Sequence, residues 1–117
     1  MPLLEKYHIE VHAAHIFLDE YHYERELAIL AELAQKYHIS WFVVKSPARL
    51  AKDVLDETAV RYRELAEELE KAGAGILIHN EKEDICIRVN GKTAYEYLLD
   101  ACGGKVGAEV DTGWMYC

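Results

Sequence analysis

The 117-residue sequence predicts an α/β fold of parallel βα units, with four main strands and three helices in a single domain spanning 1–117. Three observations carry this. Apolar runs of strand length alternate with segments of helical period. Glycines and helix caps fall at the joints between them. The hydrophobic fraction of 51% supports a packed core and is too high for a disordered chain.

The elements follow in order. Tyr7 to Phe17 is rich in β-branched and aromatic residues and reads as the first strand. Glu24 to Tyr37 is helical, with Leu27, Leu30, Ala31 and Ala34 on one face. Ile39 to Val44 is a near-continuous apolar run, as a strand buried on both faces requires, and Ser46-Pro47 turns the chain after it. A long helix covers Leu50 to Ala72 on an inward stripe of Leu55, Tyr62, Ala66 and Leu69, with Gly73 at its C-terminal cap. Ala74 to Ile78 is the third main strand. Ile85 to Val89 alternates as a short extra strand ending in the Asn90-Gly91 turn. Thr93 and Glu96 fit a capping box for a helix to Cys102, Gly103-Gly104 stops it, and Val106 to Val110 is the last main strand. The order βαβαβ(β)αβ implies a parallel sheet with right-handed crossovers. No covering helix follows the last strand, which points to a truncated architecture.

Charge and composition exclude several roles. A net charge of −8 repels phosphate backbones, so no nucleic-acid partner is expected. No stretch approaches the ~20 apolar residues of a membrane helix. The N-terminus lacks the basic and apolar regions of a signal peptide. Cys86, Cys102 and Cys117 form no CxxC pair and read as reduced thiols of a cytoplasmic protein, with Cys117 able to crosslink in air. No glycine-rich phosphate loop follows a strand. A receiver-type domain would need paired acidic residues after its first strand and a lysine late in the chain, and neither is in place.

Ligands of parallel α/β proteins bind at the carboxyl ends of the strands. The strand ends here offer His12 and His15, then Lys45 and Ser46, then His79, Asn80 and Glu81, then Asp111, Thr112 and Trp114. Two histidines, a glutamate and an aspartate at one rim have the donor chemistry for manganese, zinc, cobalt or iron, although no compact metal motif is present. His8, His22 and His38 read as surface or interface residues, and Tyr21, Tyr23 and Tyr37, near a helix, as residues that pack against the sheet. Glu64, Glu67, Glu68 and Glu70 form a solvated helix face.

At these strand ends the sequence resembles the sugar phosphate isomerase/epimerase family, the xylose isomerase-like barrels. Val11-His12-Ala13-Ala14-His15 is similar to the family's strand ending in Ser-Ala-His. Trp41 to Pro47 is similar to its Val-Val-Pro-Ser strand, and Ile78-His79-Asn80-Glu81 to its Tyr-His-Asn-His signature. Asn90 to Leu99, followed by Ala108-Glu109-Val110-Asp111-Thr112-Gly113-Trp114, resembles the stretch leading to Glu-Leu-Asp-Val-Gly-Trp. The resemblance implies about half of a (βα)8 TIM barrel, its third to sixth strands. It implies Glu81 and Asp111 as catalytic groups, and His15, Lys45, Asn80 and Trp114 as substrate contacts. His79, Glu81 and Asp111 become ligands of a divalent metal, Mn, Co or Zn. Glu81 stands where the family has a second histidine and Lys45 where it has a proline. A further His and Glu ligand come from strands with no counterpart here. The chain is therefore expected to bind metal, sugar or sugar phosphate with little or no turnover alone. Two open sheet edges and the apolar run of Trp41, Phe42, Val43, Ile76, Leu77 and Ile78 lead to the expectation of a homodimer. A non-catalytic, self-associating fragment is the alternative.

Overall fold

A computed structural model describes residues 2–18 and 23–117. Its centre is a four-stranded sheet, β1 (Ala13–His15), β2 (Trp41–Lys45), β3 (Gly75–His79) and β6 (Gly107–Glu109), in the order β1-β2-β3-β6 and parallel throughout. Three helices connect these strands, α2 (Tyr23–Tyr37), α3 (Lys52–Glu70) and α5 (Ala94–Ala101). A short helix, α4 (Lys82–Cys86), and a two-stranded ribbon, β4 (Arg88–Val89) with β5 (Lys92–Thr93), lie between β3 and α5. An N-terminal helix, α1 (Pro2–Tyr7), buries no residue.

Strand alternation divides the sheet into two unlike faces. Phe42, Val44, Ile76 and Ile78 belong to the core cluster with Leu30 and Ala34 of α2, Leu55, Leu65 and Leu69 of α3, and Leu98 of α5. The alternate residues, Trp41, Val43 and Lys45 on β2 and Gly75, Leu77 and His79 on β3, project to the opposite face. None of these six belongs to the core cluster. Two glycines make room there: a Cβ on Gly75 would sit 2.6 Å from the Trp41 ring, and one on Gly107 would sit 2.8 Å from Leu77 Cδ2. Large side chains thus lie flat over glycines of the next strand.

The helix ends follow local chemistry. Gly73, at φ +78°, ends α3 in the left-handed region, with Ala74 N–H donating to Leu69 O. Thr93 caps α5 by accepting from Glu96 N–H at 3.0 Å. The Asn90-Gly91 turn has positive φ at both residues, 49° and 78°, as a tight hairpin turn of this type requires.

Four expectations are corrected. The first strand is three residues long, because β2 offers it partners only at Trp41, Phe42 and Val43. Residues 2–7 ahead of it are helical, with Pro2 suited to a first helical position. Ile85 and Cys86 are helical, because Glu81 N–H donates to Asp84 Oδ2 at 2.9 Å and starts α4 there; only Arg88 and Val89 pair as a strand. His12 precedes β1 and lies at the amino end of the sheet, its carbonyl accepting from Ser40 and Trp41 N–H, so it is not a rim residue. Cys86 and Cys117 form a disulfide with 5.5 Å between their Cα atoms; their separation of 31 residues left no local motif to reveal it. Cys102 is the free thiol, fully buried. His22 and Tyr21 lie outside the described residues, and Tyr37 packs against the core. No helix among the described residues is long and apolar enough to cross a membrane.

Candidate functional site

The carboxyl ends of the parallel strands bring their polar residues to one rim. His79 closes β3 and is its centre. Its Nε2 lies 3.2 Å from Asp111 Oδ2, and its Nδ1 lies 3.7 Å from Glu81 Oε1. His15, at the end of β1, sets its ring edge-on to His79 with centroids 5.5 Å apart. Lys45, at the end of β2, pairs with Glu81 at 2.7 Å. The sequence-predicted His15, Lys45, His79, Glu81 and Asp111 are therefore neighbours.

The other two predicted residues stand differently. Asn80 is fully buried, and both ends of its amide are taken up by Asp111. Its Oδ1 accepts from Asp111 N–H at 2.7 Å and its Nδ2 donates to Asp111 O at 3.1 Å. Asn80 is a clamp that fixes Asp111 to the end of β3. Trp114 lies in the 3-10 turn Thr112–Trp114 and is 42% exposed.

Asp111 is held at three points. Besides the two Asn80 bonds to its backbone, its Oδ1 accepts from Gly113 N–H at 2.8 Å, which leaves Oδ2 for His79. Lys45 is held from behind, since the Tyr62 hydroxyl of α3 donates to its carbonyl at 2.5 Å. Burial pushes that tyrosine up to about 12, so it stays a neutral donor. Tyr95 of α5 plays the same part for β3, donating to Ile78 O at 2.6 Å.

Glu109 belongs to the rim and was not among the predicted residues. Its Oε1 accepts from His15 Nε2 at 2.9 Å. The signal was available: in a strand through 107–111, residues 109 and 111 share a face.

The three expected metal ligands do not converge. Asp111 and Glu81 sit at opposite nitrogens of one imidazole, so an ion at either nitrogen meets only one of the two carboxylates. Among the described residues no three His, Cys, Asp or Glu side chains are grouped to hold a metal ion. The donor set has metal chemistry, but this arrangement does not fit the expected triad. It fits proton exchange and hydrogen bonding: an imidazole between two carboxylates, with a cation on one of them.

No family model and no curated protein sequence matches the chain. Among solved structures it is similar to a sugar phosphate isomerase/epimerase from Parabacteroides distasonis ATCC 8503, at 21% identity and a TM-score of 0.72, over 97% of this chain and 46% of that one. The chain spans about half the length of the structure it matches, and what the likeness establishes is the fold: an α/β arc of four parallel strands, half the size of that TIM-barrel isomerase.

Proposed function

We propose that the rim of Lys45, His79, Glu81 and Asp111 is half of a sugar isomerase/epimerase-type site, retained for binding a neutral polyhydroxylated ligand, with little or no turnover in the single chain. The observation that carries this reading is His79 set between Asp111 and Glu81 at the carboxyl ends of a sheet that matches half of such an enzyme. Carboxylates accept from sugar hydroxyls, and Lys45 and the imidazole donate to them. A phosphorylated sugar suits the rim less well. Glu81, Glu109 and Asp111 repel a phosphate, and the one lysine is already paired with Glu81.

Proton transfer between adjacent carbons needs an acid/base group on each side of the substrate. This rim supplies one side, and losing such a group costs on the order of 10²–10⁴ in rate. Manganese, cobalt or zinc binding would require Glu81 to leave Lys45 and swing to the Asp111 side of His79, so any affinity for these metals should be weak. A second reading, a non-catalytic self-associating module, is favoured by one observation: Lys45–Glu81 and His15–Glu109 already satisfy each other's charges.

Calorimetric titration with D-xylose and D-fructose, each with and without manganese, tests the proposal. Saturable binding is expected in the wild type and about tenfold or more weaker in Asp111→Asn, since a hydrogen bond to a charged group contributes roughly 1.5–3 kcal/mol. Binding unchanged by Asp111→Asn, or no binding at all, would count against the site. An assay against ketoses and their phosphates should show no turnover; turnover that disappears in Asp111→Asn would refute the inactive half-site.

A further inference from the structure

Among the described residues no strand pairs with the outer side of β1 or β6, and these two edges are chemically unlike. β1 carries His15. β6 carries Glu109, with Asp111 just beyond it. In a flat sheet three strand spacings of about 4.8 Å would hold these edges roughly 14 Å apart. Yet His15 Nε2 lies 2.9 Å from Glu109 Oε1 across the open face. A histidine and a glutamate side chain placed end to end with a hydrogen bond between them fall short of the flat separation. The sheet is therefore curled, with the open face on its concave side.

A curled, all-parallel arc of four strands closes when a second arc meets both of its edges. A second copy of this chain has the matching edges. Setting β1 of one copy beside β6 of the other joins a base to an acid at each junction. Setting β1 against β1 would bring histidine to histidine, and β6 against β6 would oppose Glu109 and Asp111 to the same two carboxylates, which is destabilising. The strand direction follows from burial. With all strands parallel, both polar rims lie at one mouth, where water reaches them. Antiparallel closure would press Lys45, His79 and Asp111 of each copy onto the Trp41 end of the other, taking these paired polar groups out of water at a desolvation cost. Phe17, 85% exposed just after β1, and Val110, 52% exposed just after β6, mark both edges as unfinished surface.

We propose that two copies close into one eight-stranded parallel barrel, β1 of each beside β6 of the other, with His15 of one copy bonded to Glu109 of the second. The His15–Glu109 pair made within each copy is exchanged for a pair between copies, one at each of the two junctions. The two rims then face each other across one mouth, so each copy supplies the wall the other lacks. This deepens the ligand reading by making the site shared, but the edge pairing rests on its own observations and is read without any ligand.

Sedimentation velocity of the full chain is the test. The wild type is expected to be a dimer. Glu109→Lys and His15→Glu should each be monomeric, because the first removes the acceptor carboxylate from both junctions and the second sets carboxylate against carboxylate there. An equimolar mixture of the two variants should recover the dimer, since every junction again joins an acid to a base. Recovery on mixing cannot arise from a bond kept within one chain. A monomeric wild type, a Glu109→Lys variant that stays dimeric, or a mixture of folded variants that stays monomeric would overturn the proposal. If either charge variant loses its far-ultraviolet helical signal, Glu109→Gln and His15→Gln replace it, and each should weaken the dimer about tenfold; unchanged association in these would overturn it equally. Failure of sugar binding would leave all these masses unaffected, so the two readings fail separately.

Discussion

Asn80 shows how the rim is held together by a side chain bonded to its backbone. It is fully buried, and both ends of its amide are bonded to the backbone of Asp111. Asn80→Ala removes two hydrogen bonds and leaves the N–H and C=O of part-buried Asp111 without these partners. A loss of about 2 kcal/mol or more is expected in urea unfolding. Asn80→Asp keeps the acceptor, loses the donor and adds a buried charge, so it should be at least as costly. If instead Asn80→Ala left stability unchanged and only weakened sugar binding, the residue would be a ligand contact after all.

At the scale of elements, α4 starts in a reciprocal capping box of Glu81 and Asp84, of which Asp84 is the buried member. Asp84 is 3% exposed and accepts from Glu81 N–H at 2.9 Å. Burial raises its pKa, against the lowering effect of that backbone bond. A carboxyl raised in the folded state imposes no cost while it is protonated in both states, at low pH. The cost appears as the pH rises above the ordinary carboxylate range and the unfolded form ionises first. Asp84→Asn keeps the acceptor and removes the charge. It should therefore be more stable than the wild type at pH 7, with the difference vanishing near pH 3. Asp84→Ala loses the cap and should be less stable by about 1 kcal/mol at pH 7. Thermal melts of both variants across this pH range check the pair of expectations, and a Asp84→Asn difference independent of pH would contradict them.

For the molecule as a whole, the helices are tied to the sheet by groups that resist ionisation. Burial pushes Tyr62 and Tyr95 up to about 12 and the Cys102 thiol up to about 11. Each is an acid whose folded value lies above its unfolded one, so its contribution is complete below the unfolded value and is lost as the pH rises. Stability should hold below pH 9, the ordinary thiol value, and fall above it by roughly 1 kcal/mol per pH unit for each group ionised only in the unfolded chain. Urea midpoints measured between pH 8 and pH 11 test this. Cys102 should likewise react with a thiol reagent only after unfolding, since burial keeps it protonated and out of reach.

The sequence by itself determined the layout: the βα alternation, the three long helices, the caps at Gly73 and Thr93, and the set of strand ends from which Lys45, His79, Glu81 and Asp111 rise. These are local properties, fixed by periodicity and turn chemistry, and strand direction then sends all four side chains to one rim. The tertiary structure decided everything that depends on which distant residue comes near. It shortened the first strand, because a strand persists only where a neighbour pairs with it. It joined Cys86 to Cys117 and bonded both ends of the Asn80 amide to the backbone of Asp111. It also placed the imidazole of His79 between two carboxylates that a one-dimensional reading had set around a common ion. Spacing along the chain names the donors at a rim, but the direction in which each lone pair points is settled only when the strands are packed side by side.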